Sequence, residues 1–174
     1  MPGALAQPRK TRRIGFLGSS SASGYAPQVE ALRAGLGDLG YVEGKNIAIE
    51  FRWAEGKYER LPELAAELVR LPVDVIVTHG VRAIRAVQDA TKVIPIVMAA
   101  SPDPVGTGLI VSLARPGANT TGMTDQVAEL GETEIQIIRD VVPRTRRVSI
   151  LWNDSNPGAR GTVRRWPVSP RSPG

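Results

Sequence analysis

The sequence predicts an α/β fold: a parallel sheet with helices on both faces. Short apolar runs rich in branched residues, such as Val73 to Thr78 and Ile94 to Ala99, suit buried parallel strands. Between them, leucines and valines recur at helical spacing. The connections are short, so strand and helix alternate as they do in doubly layered sheets. A length of 174 residues suits one core, and 42% hydrophobic with 22% charged residues is a globular composition.

Taken in order, residues 1–13 show no periodicity and read as a disordered leader. Ala4-Leu5-Ala6 resembles the end of a secretory signal, but the apolar segment that should precede it is missing, so no complete signal peptide is expected. Ile14 to Gly18 is the first strand, followed by the serine-rich turn Ser19 to Gly24. Val29, Leu32, Leu36 and Leu39 place a helix over 26–39, stopped near Gly40. Ile47, Ile49, Phe51 and Trp53 alternate as a second strand. Leu61, Leu64, Ala65, Leu68 and Leu71 mark a second helix, with Pro62 in its first turn.

The third strand, Val73 to Thr78, leads to a shorter helix over 81–90, and Ile94 to Ala99 is the fourth strand. A short helix over 109–113, a turn at Pro116-Gly117 and a fifth strand over 120–124 follow. A helix over 129–142 has Leu130, Ile137, Ile138, Val141 and Val142 as its buried side, and Val148 to Trp152 is a sixth strand. Residues 158–174 hold three prolines, four arginines and no acid, and should be disordered.

Composition excludes several chemistries. There is no cysteine and one histidine, so disulfides, thiolate nucleophiles and multi-histidine metal centres are ruled out. An oxygen-ligand site for a hard cation stays open, but no metal site and no cofactor is assigned. The net charge of +5 is carried by the ends: residues 1–13 and 158–174 bring +4 each, which leaves −3 for residues 14–157. A nucleic-acid face needs clustered basic residues on an ordered surface, so no nucleic-acid partner is expected. No apolar run approaches the roughly 18 residues that span a bilayer.

In open α/β sheets, ligands bind outside the carboxyl ends of the strands. Three polar loops belong there: Ser19 and Ser20 after the first strand, Thr78 and His79 after the third, Ser101 and Asp103 after the fourth. Each has a plainer reading. The serines can cap a helix, His79 can be a solvated loop residue, and Ser101 and Asp103 can cap a turn. Trp53 and Tyr58 can line a cleft or pack in the core. There is no phosphate loop and no dinucleotide glycine pattern. A Ser101 nucleophile with a His79 base would make a small hydrolase-like enzyme, yet no GxSxG elbow surrounds any serine. Short polar loops without a catalytic set favour binding over catalysis.

Several longer motifs carry a resemblance. GLGDLGYVEGKNI over 35–47, DPVGTGLIVSLARPGANTTG over 103–122 and LWNDSNPGA over 151–159 resemble the substrate-binding proteins of ABC transporters, in the branch with tryptophan- and tyrosine-binding members. The likeness covers residues 13–159. It implies a type 1 periplasmic-binding fold, in which two lobes joined by a hinge close on a small molecule. Residues 14–124 would be a complete first lobe, and 125–157 the hinge and the opening helix and strand of a second, truncated lobe. Ligand contacts would come from Ser19, Ser20, Thr78, His79, Ser101 and Asp103, with Asn153 from the second lobe.

The resemblance further implies a transporter permease as partner in a full-length parent, an extracytoplasmic location, and membrane contact only through that permease. Sequence after Ala159 resembles nothing in the family and reads as unrelated. A lobe without its counterpart is expected to bind weakly or not at all. The effector domain of a transcription regulator would need a DNA-binding helix pair ahead of Ile14, which thirteen residues cannot supply.

Overall fold

The computed structural model describes residues 11–125 and 131–151. Its elements are β1 (Arg12–Gly18), α1 (Ala26–Asp38), β2 (Ile47–Trp53), a 3-10 turn (Tyr58–Arg60), α2 (Leu61–Arg70), β3 (Val75–Thr78), α3 (Val81–Ala90), β4 (Ile96–Met98), β5 (Thr120–Gly122) and α4 (Gly131–Val141). The five strands form one sheet in the order β2-β1-β3-β4-β5, and every ladder is parallel. The fold is α/β with helices on both faces.

Each face has its own core. On one, Tyr25 and the α1 residues Val29, Leu32 and Leu36 lie over Ile14, Phe16, Ile47, Phe51 and Val77. On the other, α2 and α3 set Leu61, Leu64, Leu68, Ala83 and Val87 against Leu17, Ile76 and Ile96. Strand β1 lies between two neighbours with helices above and below, so five successive residues from Ile14 to Gly18 are buried. This is why its sequence runs apolar instead of alternating. Helix α1 ends in a Schellman arrangement: the Tyr41 amide donates to the Leu36 carbonyl (2.8 Å), the Gly40 amide to Gly37 (2.9 Å), and Gly40 takes φ 81°.

Four expectations are corrected. Strand β1 starts at Arg12, so Arg12 and Arg13 belong to the sheet and not to a leader. The Arg13 amide donates to Asp74 (2.8 Å) and its guanidinium pairs with Glu50 (3.2 Å), while Arg12 pairs with Asp74 (3.6 Å). Residues 1–10 lie outside the described residues.

No helix forms over 109–113; the chain bends there instead. Side chains of α3 take the carbonyls at its start: Gln88 donates to Leu109 (2.7 Å), and Arg85 to Thr107 (2.8 Å) and Gly108 (3.1 Å) just ahead of it. The Val111 amide donates to the Pro116 carbonyl (2.9 Å), across the turn and not back along a helix. Leu109 and Ile110 still reach a small core with Val81, Ile84 and Met98.

Ile137 and Val141 on α4 and Val142 just after it are exposed and Ile138 is half-buried, so the expected buried side is largely uncovered among the described residues. Leu130 lies outside them. Val148 to Leu151 is not a strand: no described strand runs beside it, and an extended segment needs a neighbour to pair its amides and carbonyls. Trp152, Asn153 and residues 158–174 are outside the described residues.

Candidate functional site

Because all ladders are parallel, the loops after β1, β2, β3, β4 and β5 gather at one edge of the sheet. The β1 loop is tied to the β2 exit: the Ala54 amide donates to Gly18 (2.9 Å), Gly56 to Ser19 (2.9 Å) and Glu55 to Ser20 (3.4 Å). The β3 exit is tied to the β4 exit, where the Gly80 amide donates to the Ala100 carbonyl (3.2 Å). Four loops are thereby tied in two pairs along that edge.

Tyr25, which immediately precedes α1, joins two of the expected residues. Its ring is 7% exposed, packed edge-on to Phe16 and tilted on Trp53. Its hydroxyl lies 3.1 Å from Ser19 Oγ and 3.3 Å from His79 Nδ1, and its ring meets the imidazole edge to face at 6.0 Å. Ser19 and His79 thus share one phenol between them.

Beside this trio lies an open cleft of about 150 Å³, lined by Ser19, Tyr25, Tyr58, His79 and the first residues of α3, Gly80 to Ala83. The Arg82 guanidinium sits over the Tyr58 ring, 4.9 Å from its centre. Gly80 makes the approach possible: with φ 82° it turns the chain directly from β3 into α3. The opening amides of α3 therefore point toward the cleft end of the helix, where no intrahelical acceptor exists for them. A smaller hollow of about 90 Å³ lies on the other side of Tyr25, lined by Phe16, Gln28, Leu32, Val77, His79 and Ala99.

The remaining expected residues have other partners. Thr78 is fully buried and donates to the Leu17 carbonyl (2.9 Å), bracing β3 against β1. Ser101 is fully buried, and its Oγ has no hydrogen-bond partner among the described residues. The Asp103 carboxylate accepts the Gly106 amide (2.9 Å) and its carbonyl accepts the Thr107 hydroxyl (2.8 Å), which is the turn-capping role. Ser20 is exposed on the rim, and Asn153 is outside the described residues. The Ser101–His79 pair of a hydrolase is not assembled: His79 bonds Tyr25, and Ser101 faces the interior.

Trp53 is half-buried, packed against the core and stacked on Phe51 at 12°, whereas Tyr58 does line the cleft. Tyr25 and Arg82 were not expected from the sequence. The available signal for Arg82 was the His79-Gly80 step directly ahead of a helical stretch, which puts residue 82 in the first turn. No group of three His, Cys, Asp or Glu side chains among the described residues could hold a metal ion.

Residues 19–167 match the model of a family described as ABC transporter substrate binding protein. The chain belongs to this family. The match runs past Ala159, where the sequence reading ended the likeness. A tyrosine-binding protein of Clostridioides difficile (strain R20291) is 32% identical over 120 residues, covering 69% of this chain and 34% of that protein.

Two solved structures superpose on the fold. A conserved domain protein of Vibrio cholerae O1 biovar El Tor matches with a TM-score of 0.80 and 28% identity, over 89% of this chain and 52% of that one. A Streptococcus pneumoniae domain in complex with L-Trp matches with a TM-score of 0.80 and 26% identity, over 90% and 52%. The chain therefore spans about a third of its curated relative and about half of each solved one. These neighbours share the periplasmic-binding lobe, and the relatives are described as binding proteins.

Proposed function

We propose that this chain contributes one wall of a cleft that captures an amino acid or similar small molecule for an ABC-type importer, without chemically altering it. Residues 14–124 would be the first lobe, with Asp125 near the hinge and α4 opening the second. The permease would be the partner, and the protein would act outside the cytoplasmic membrane. Family membership supports the transport role, and the names of the tyrosine-binding relative and the L-Trp complex support the ligand class.

The observation that carries the reading is the cleft at the start of α3. A helix N-terminus offers amides and a partial positive charge to an anion, and Arg82 adds a full charge at the same place. A ligand carboxylate fits there, the rings of Tyr58 and Tyr25 contribute to the cleft wall, and Ser19, Ser20 and His79 supply polar contacts. Thr78, Ser101 and Asp103 are left out, since two are buried and the third caps its own turn.

One wall gives few of the contacts that drive closure of two lobes, so binding by the 174-residue chain should be weak. Titrating the 15N-labelled chain with L-tryptophan or L-tyrosine to millimolar concentration should shift the amides of Ser19, Gly80, Arg82 and Ala83 first. Shifts confined to other surfaces would reject the site. Micromolar affinity would reject the need for a second wall.

A further inference from the structure

We infer that Tyr25 is a positioning residue whose hydroxyl links Ser19 to His79 in a relay, and that protonation of His79 reverses the direction of that relay. The inference takes the cleft to be the binding site proposed above, while its test needs no ligand.

The geometry is the Ser19 Oγ to Tyr25 Oη contact of 3.1 Å and the Tyr25 Oη to His79 Nδ1 contact of 3.3 Å. One hydroxyl proton on Tyr25 cannot serve both neighbours. A phenol is the more acidic donor and a neutral imidazole nitrogen the more basic acceptor. In the neutral state, Tyr25 therefore donates to Nδ1, Nε2 carries the imidazole hydrogen, and the Ser19 hydroxyl donates to Tyr25. When solvent delivers a proton to the imidazole, Nδ1 becomes a donor. Tyr25 must then accept from Nδ1 and turn its own proton to Ser19 Oγ. Ser19 becomes an acceptor from Tyr25, and its hydroxyl hydrogen is released toward the cleft. No covalent bond changes apart from the N–H formed on the ring.

The surroundings give the switch one sign. The residues lining the two hollows around His79 include one cation, Arg82 on α3, and no carboxylate; Tyr58 and Gln28 are the other polar groups there. Neighbouring loops carry Glu55 at the β2 exit and Asp103 at the β4 exit, the latter accepting the Gly106 amide. The protonated cleft gains a positive charge and a freed hydroxyl donor together, and both favour a carboxylate.

His79 is the single histidine of the chain, so its ring signals can be followed without ambiguity. In an NMR pH titration of the full chain, the Tyr25 Cζ and Ser19 Cβ resonances should move with the same midpoint as the His79 ring. In Tyr25→Phe, which keeps the ring on Phe16 and Trp53, His79 should still titrate while the Ser19 response is lost. In Ser19→Ala, Tyr25 should still follow His79. Tyr25 and Ser19 signals that stay flat through the His79 transition would overturn the relay. So would a Ser19 response surviving in Tyr25→Phe, since the coupling would then be a field effect through space.

Discussion

Ser101 shows how a residue's place can contradict its chemistry. It looked like a ligand contact because it leaves a strand on the binding edge, yet its side chain is 0% exposed and its Oγ has no partner among the described residues. A buried hydroxyl without a hydrogen bond costs free energy on folding. Ser101→Ala should therefore raise stability by about 0.5–1 kcal/mol, seen as a higher urea midpoint with an unchanged slope. A loss of stability would mean that the hydroxyl is satisfied after all. The residues of the proposed cleft were legible only as a set of loops. That Tyr25 joins residues 19 and 79 depends on a contact spanning 54 positions, which no local pattern encodes. The Thr78 hydroxyl likewise has a partner no local pattern encodes, a carbonyl 61 residues away.

At the scale of elements, the helices α2 and α3 and the strand β2 were readable because their own side chains decide them. Leu61, Leu64, Ala65 and Leu68 make one buried stripe, and Val81, Ile84 and Val87 another. The segment 109–113 was not readable: its apolar spacing suited a helix, but Arg85 and Gln88 claim the local carbonyls from across the fold. The start of β1 was missed likewise, since Arg12 and Arg13 look like part of a basic tail until Asp74 and Glu50 neutralise them.

Two glycines make the element-scale argument testable. At Gly122, φ is 145° and an added Cβ would lie 2.2 Å from the Met98 carbonyl oxygen, against backbone that cannot move aside. Gly122→Ala should cost more than about 1 kcal/mol. Gly35, inside α1, has nothing within 4 Å of an added Cβ, so Gly35→Ala should gain roughly 0.5–1 kcal/mol from helix propensity. Chemical denaturation of both variants checks the pair, and a Gly122→Ala protein as stable as the parent would refute the close approach.

At the scale of the molecule, the parallel α/β architecture could be read because alternation and short connections leave few alternatives. The residues beyond 131 could not be read in the same way: apolar spacing marks a helix there, but a buried side exists only where something covers it, and Ile137, Val141 and Val142 are exposed. The position of β1 between β2 and β3 has a consequence in time. Ile76 pairs with Ile96, twenty residues on, and Ile96 with Thr120, twenty-four on. Arg12 pairs with Ile47, thirty-five on, but Ile14 must find Val75, sixty-one on. Closing the longest of these loops costs about 1 kcal/mol more chain entropy than the shortest. The sheet should then fold as two halves, β3 to β5 and β1 with β2, with the β1–β3 seam closing last. Kinetically, Ile96→Val should slow refolding more than Ile14→Val, each judged against its own loss of stability. Strand β1, which precedes the other four strands of this sheet in the chain, would be the one that waits longest for its second neighbour.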